Sequence, residues 1–331
     1  MVIFMIINTT PEYLELLNKS IAREIQVCAQ YTLQHSAMEK LRRKVIKENY
    51  LLDTTTYDKV GENLEKMAIE EMKHLGSIME RIYILGGDAI TKPSKITIGK
   101  SIKEFMKHGE KAEEEALELY REVIEIAEKL GDRVTYEMFL GIYHDEEKHL
   151  LTFQDYLEVE DEVPEIEFDA PESKWRKIFT PEYITMLNKA LASEISAIIQ
   201  YTNQHEKAKK EKLRKKKASL EVIKETNKSE VVSDMLKPIF KDEMRHMEQI
   251  AERIYEIDFD VVADVDPKPE IGEEVNNWLV LDRDAEDYAI VLYRSIIKKA
   301  TEIGDVKTRL MFEKILEEEE GHYWQFDDYM L

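Results

Sequence analysis

Apolar positions recur along most of this chain with the spacing of helices that bury one face. The pattern predicts four helices in the first half. The first opens at Thr10-Pro11, with threonine as N-cap and proline in the first turn, and runs past His35. The second runs from about Tyr57 to Leu85 and stops at Gly86-Gly87. Asp88 to Gly99 contains Pro93 and reads as an extended crossover. The third helix starts near Ser101 and ends near Gly131; the fourth runs from Asp132 to about Leu157. One long connection between the second and third helices predicts a bundle with a single crossover, not a plain up-down-up-down bundle.

The second half repeats the first. Thr10-Pro11-Glu12-Tyr13 returns as Thr180-Pro181-Glu182-Tyr183, and Gln30-Tyr31-Thr32 as Gln200-Tyr201-Thr202, an offset of 170. Glu71-Met72 and His74 return as Glu243-Met244 and His246 at 172, and Glu146-Glu147 with His149 as Glu319-Glu320 with His322 at 173. The drift falls between blocks, as loop insertions produce. The expected organisation is a domain at 1–158, an acidic linker at 159–179 with Pro164 and Pro171, and a second domain at 180–331. The fold class is all-α: two tandem four-helix bundles forming a pseudo-two-fold dimer within one chain.

Composition agrees. Eleven Gly and eight Pro in 331 residues leave few breaks for a β-rich protein. A net charge of -22 disfavours nucleic acid and anionic membranes as partners and attracts cations. The basic run from Lys207 to Lys217 is the local exception, read as an exposed helix end, with a docking site for an acidic partner as the alternative. Met1 to Ile7 is too short to span a bilayer and lacks signal-peptide flanks, and Cys28 is the sole cysteine, so the expected location is cytoplasmic. Cys28 has Ile198 as its counterpart and reads as a core residue.

Chemistry resides in polar residues on faces that should be buried. Glu71 and His74 lie three apart and share a helix face, as do Glu146 and His149. Glu24 sits beside the apolar stripe of the first helix, and Glu114 seven residues before Arg121 on the third. The second half supplies Glu194, Glu243, His246, Asp287, Glu319 and His322. Four carboxylates and two imidazoles per half suit two divalent cations, iron or manganese; without metal, buried carboxylates repel and take up protons. Asp287 is one methylene shorter than Glu114, with Glu286 as its alternative, and Pro238 lies five residues before Glu243. Both features predict a weaker, slower second centre.

At these residues the chain resembles the bacterioferritins, within the ferritin-like di-iron proteins, whose ligand pattern this is. The resemblance rests on Glu71-Met72-Lys73-His74 followed by Glu80-Arg81-Ile82, on Gln30-Tyr31, on Tyr120-Arg121-Glu122 and on Asp145 to His149. It implies a ferroxidase centre in each half that oxidises Fe(II) with O2 or H2O2, for iron homeostasis and oxidative-stress defence. It also implies Tyr31 and Tyr201 as electron donors, Met72 and Met244 as haem axial ligands, a redox partner and homo-oligomers. No fifth helix follows Leu157, which disfavours a storage cage. The alternatives are a rubrerythrin-like peroxide reductase and a non-enzymatic iron- or haem-binding assembly protein.

Overall fold

The computed structural model describes residues 9–48, 55–158, 177–214 and 220–330, without the side chains of 44–48, 211–214 and 220–227. Most of the expected linker, and Lys215 to Lys217 of the basic run, lie outside the described residues. Eight helices are present among the described residues: α1 (Pro11–Glu48), α2 (Thr55–Ile84), α3 (Ile102–Leu130), α4 (Arg133–Glu158), α5 (Pro181–Arg214), α6 (Leu220–Glu256), α7 (Val275–Ile303) and α8 (Val306–Met330). None is long and apolar enough to cross a membrane.

Local chemistry sets the helix ends. Thr10 and Thr180 side chains accept the backbone N–H of Tyr13 and Tyr183 at 3.2 and 3.3 Å. Ser101 does the same for Glu104 at the start of α3. Gly131 and Gly304 close α3 and α7 at φ 70° and 78°, a left-handed conformation that costs glycine little.

By contact density the chain divides into two compact units, one of residues 1–34 and 62–166, the other of 35–61 and 167–331. This division differs from the single cut at 159–179: the end of α1 and the start of α2 group with the second unit. In the first unit α3 packs along α4; in the second α5 packs along α6 and α7 along α8.

Matching polar ties brace the two units. Tyr13 donates to Asp132 at 2.9 Å, and Arg81 reaches Asp132 at 2.5 Å and Thr135 at 2.7 Å. Tyr183, Arg253, Asp305 and Thr308 repeat the arrangement. These residues are buried, so each charge is held by its partner. The crossover between α2 and α3 is stitched to α1: Asn18 donates to Asp88 O and accepts from Ile90 N, Ser94 N donates to Ala22 O, and Gln34 donates to Ile98 O. In the second unit Asn188 accepts from Val262 N and Gln200 from Glu270 N. The repeated Asn and Gln positions therefore fasten the crossover and leave the other helix faces for the core.

Candidate metal centres

One helix each from α1 to α4 carries a buried acid to a common point. Glu24, Glu71, His74 and Glu146 present ligand atoms within 4.8 Å of one another, and so do Glu71, Glu113, Glu146 and His149. The quartets share Glu71 and Glu146, so these two carboxylates stand between two positions that Glu24 and Glu113 close at either end. The second unit repeats the set as Glu194, Glu243, His246, Glu319 and Glu243, Glu286, Glu319, His322.

Glu114 and Asp287 are not among them. Both are exposed, while their neighbours Glu113 and Glu286 are buried in the cluster. The expected ligands on α3 and α7 are corrected by one residue, a turn of about 100° about the helix axis. The signal was present: Glu113 and Glu286 are glutamate in both halves, and each lies seven residues before a buried tyrosine, Tyr120 or Tyr293. With Glu286 in place, chain length no longer separates the halves. Pro238 lies inside α6, which continues through Glu243. The grounds for a weaker second centre therefore fall away.

The donors fit divalent cations. A neutral imidazole Nδ1 has at most one proton to give, yet His149 Nδ1 lies 2.9 Å from Glu71 Oε1, 3.1 Å from Glu146 Oε2 and 3.9 Å from Glu113 Oε1. His74 Nδ1 lies 3.0 Å from Glu71, 3.3 Å from Glu146 and 3.9 Å from Glu24. Acceptors outnumber donors, and Glu24 Oε2 and Glu71 Oε1 are buried without a hydrogen bond. The second unit leaves Glu243 Oε1 and Glu319 Oε1 in the same condition. Such oxygens are costly in an apolar interior and are satisfied by a cation.

Electrostatics without metal follow from this crowding. Burial, then the charges of Glu71 and Glu146, push the Glu24 carboxyl well above the carboxylate range. Burial with Glu146 and Glu71 does the same to Glu113. Burial opposes ionisation of Glu71 too, but the facing imidazoles of His149 and His74 outweigh it and bring the group down to about 2. Burial disfavours charged imidazoles, yet the facing carboxylates raise His74 to about 11 and His149 to about 12. In the second unit His322 rises to about 10 and His246 further, against the same burial.

A further layer of acids holds the imidazoles. His149 Nε2 meets Glu70 at 2.8 Å and His74 Nε2 meets Asp145 at 3.6 Å; His246 and His322 meet Glu318 at 2.6 Å and Asp242 at 3.7 Å. With Nε2 engaged, Nδ1 faces the cluster, which orients a metal-binding histidine. Tyr31 donates to Glu113, and Tyr201 to Glu286 at 2.5 Å. A second tyrosine pair, Tyr120 to Glu24 and Tyr293 to Glu194, was missed in the sequence because aromatic residues on an apolar stripe look like plain core. Met72 and Met244 are half-buried on α2 and α6. Cys28 is buried, with Sγ 3.7 Å from Ala68 O, and burial, then Glu71 and Glu24, raises its thiol, which keeps it in the unreactive form.

A ferritin-like domain model matches residues 14–163 and 222–330, so the chain belongs to the ferritin-like domain family and carries the domain twice. More particularly, it is similar to bacterioferritins. It is 36% identical to that of Desulfovibrio desulfuricans over 145 residues, 44% of this chain and 72% of the relative. It is 29% identical to that of Brucella melitensis over 151 residues, 45% and 83%. Among solved structures, the D. desulfuricans bacterioferritin described by its diiron site in different catalytic states matches at 31% identity and TM-score 0.39, over 48% of this chain and 82% of that one. The Rhodobacter capsulatus bacterioferritin matches at 23% and 0.41, over 49% and 99%.

The units are not copies in every detail. Gly109 has no room for a side chain, because a Cβ would meet the Phe153 ring at 2.4 Å. Asp282 takes its place in α7, wholly buried, accepting from Gln200 at 2.8 Å. Burial pushes its carboxyl up to about 8, only partly countered by Gln200 and Gln204. The folded chain thus keeps a proton that the unfolded chain releases near pH 4, so stability falls as pH rises between about 4 and 8. Asp282→Asn is expected to gain about 3.5 kcal/mol over the parent on going from pH 5 to pH 8. Denaturant melts in chelator at both pH values measure this, and a difference that does not change with pH would refute it.

Proposed function

We propose that each unit is a di-iron carboxylate centre that oxidises Fe(II), with O2 or H2O2 as electron acceptor, in iron homeostasis and oxidative-stress defence. The observation that carries this reading is the sharing of Glu71 and Glu146, and of Glu243 and Glu319, between two overlapping quartets. Two positions joined by two carboxylates allow a pair of electrons to leave together, which suits reduction of dioxygen or peroxide. Iron, when bound, supplies those electrons. The mixed oxygen and nitrogen donors also suit manganese, and kinship with bacterioferritins favours iron.

The chain's own residues do the rest. Glu24 and Glu113 close the ends, Glu71 and Glu146 span the middle, and His74 and His149 present Nδ1 while Asp145 and Glu70 hold Nε2. Tyr31 and Tyr201 each stand one hydrogen bond from an end carboxylate, placed to pass an electron and to keep a proton at Oη. Burial of the acids excludes bulk water.

Anaerobic protein loaded with Fe(II) and mixed in stopped flow with each oxidant is expected to show rapid growth of ferric absorbance, lost when Glu71→Ala and Glu243→Ala are combined. Reaction with H2O2 and not with O2 would favour a rubrerythrin-like peroxide reductase. Bound Fe(II) inert to both would leave a non-enzymatic iron-binding protein.

The reading extends to haem at Met72 and Met244, which hold equivalent places after a ligand glutamate and are both half-buried. Thioethers favour ferrous haem. Reconstituted protein should show reduced methionine-ligated haem bands that vanish when Met72→Leu and Met244→Leu are combined, and haem-treated protein without those bands would count against it.

A further inference from the structure

Ser193 precedes the ligand Glu194, and Arg23 holds the equivalent place before Glu24. Beside Ser193 lies a cavity of ≈ 30 Å³. That is room for about two waters. Its inner wall is the carboxylate cluster itself, Glu194, Glu243, Glu286 and Glu319, all buried. Its outer wall includes Ala197, Pro267 and Tyr288, which are partly or fully exposed. The cavity therefore leads from the surface between α5 and α7 to the second centre. Neutral oxygens mark the way: Ser193 Oγ lies 3.4 Å from Tyr293 Oη, and Tyr293 donates to Glu194.

The first unit puts longer side chains in place of both serines and a carboxylate in place of the tyrosine, and bonds them together. Arg23 replaces Ser193, Gln26 replaces Ser196, and Glu115 stands where Tyr288 does. Arg23 donates from Nη1 to Gln26 at 3.1 Å and to Glu115 at 3.4 Å. It is only 5% exposed, and its Nε and Nη2 make no hydrogen bond. A buried guanidinium with unmade bonds is a costly group to retain for packing alone. It directly precedes the ligand Glu24 on α1, so it stands close to the first centre.

We propose that residues 23 and 193 set metal access: a divalent cation enters the second centre through the Ser193 cavity, and Arg23 closes the same route into the first. This rests on the di-metal reading above. A hydroxyl offers a cation lone pairs as it sheds water, whereas a guanidinium offers only N–H groups and like charge. The two centres of one chain thus fill at different rates although their ligands match.

Co(II) alone is the probe, read by its visible absorption in stopped flow on the full chain. A Glu243→Ala background isolates the first centre and Glu71→Ala the second. The second centre is expected to fill on the order of 10-fold faster than the first. Arg23→Ser should bring the first up to that rate, and Arg23→Met, which keeps bulk and removes charge, should give part of the gain. Ser193→Arg should slow the second. Final Co(II) stoichiometry should stay unchanged in all three, which separates access from a damaged centre. Equal rates in the two centres, or a first centre indifferent to Arg23→Ser, would overturn the access proposal and leave the di-metal reading standing. A chain that binds no Co(II) at either centre would remove both. Should Ser193→Arg fail to fold, the Arg23 variants decide alone.

Discussion

Glu113→Ala is expected to empty one metal position of the first centre, while Glu114→Ala, one residue along, should leave both filled. Glu113 is wholly buried and belongs to a quartet with Glu71, Glu146 and His149; Glu114 is exposed. Loss of residues that merely orient metal ligands costs 10–100-fold in affinity, so removing a ligand should cost on the order of 100-fold or more at that position. Glu114→Ala should change affinity by less than about twofold, as exposed substitutions do. The pair Glu286→Ala and Asp287→Ala should behave identically in the second unit. Metal titration of the four variants, with occupancy read by anomalous scattering at the iron edge, makes the comparison. A Glu114→Ala chain that loses metal while Glu113→Ala keeps it would reverse the assignment.

Metal binding should expel about four protons from each centre, two per ion. In the metal-free first unit His74 and His149, raised to about 11 and 12, are imidazolium at neutral pH. Burial and neighbouring carboxylates push Glu24 and Glu113 toward the protonated form. A metal needs all four groups deprotonated. Protons are therefore competitors, and the sign is fixed: affinity rises with pH. The rise should be about 100-fold per pH unit per ion through the neutral range, flattening as pH approaches the imidazole values. Four departing protons and two arriving dications also leave the centre's charge unchanged, which spares a buried site a large electrostatic cost. Calorimetry in buffers of different ionisation enthalpy counts the protons directly. Fewer than about one per ion, or an affinity flat between pH 6 and 8, would contradict the electrostatic picture.

The helices were legible in the chain because their stops are chemical. Thr10, Ser101, Gly86 and Gly131 mark ends that the structure places within a residue or two. The duplication was legible because ligands, crossover clamps and caps recur together. Ten of the twelve expected ligands meet in the two clusters. The two that do not were placed by their distance from Arg121 and Arg294, residues that bond at the surface to Tyr143 and Glu320. An exposed anchor fixes helix phase poorly, whereas Tyr120, buried against Glu24, fixes it well. The acids behind the histidines were hidden for another reason. Glu70, Asp145, Asp242 and Glu318 sit in helices crowded with carboxylates, so composition gives them no contrast. The Ser193 cavity lay beyond reach because it depends on which side chains fail to fill a space.

Gly109 and Asp282, like Arg23 and Ser193, occupy matching places in one polypeptide. In an assembly of identical subunits any substitution is inherited by every centre at once, and a change that suits one must be tolerated by all. A single reading frame that encodes both centres lifts that restriction. Each half can drift on its own while the other preserves the original chemistry, so symmetry becomes a starting point for division of labour. Phe153 over Gly109 and a buried acid at 282 are differences that such independence permits.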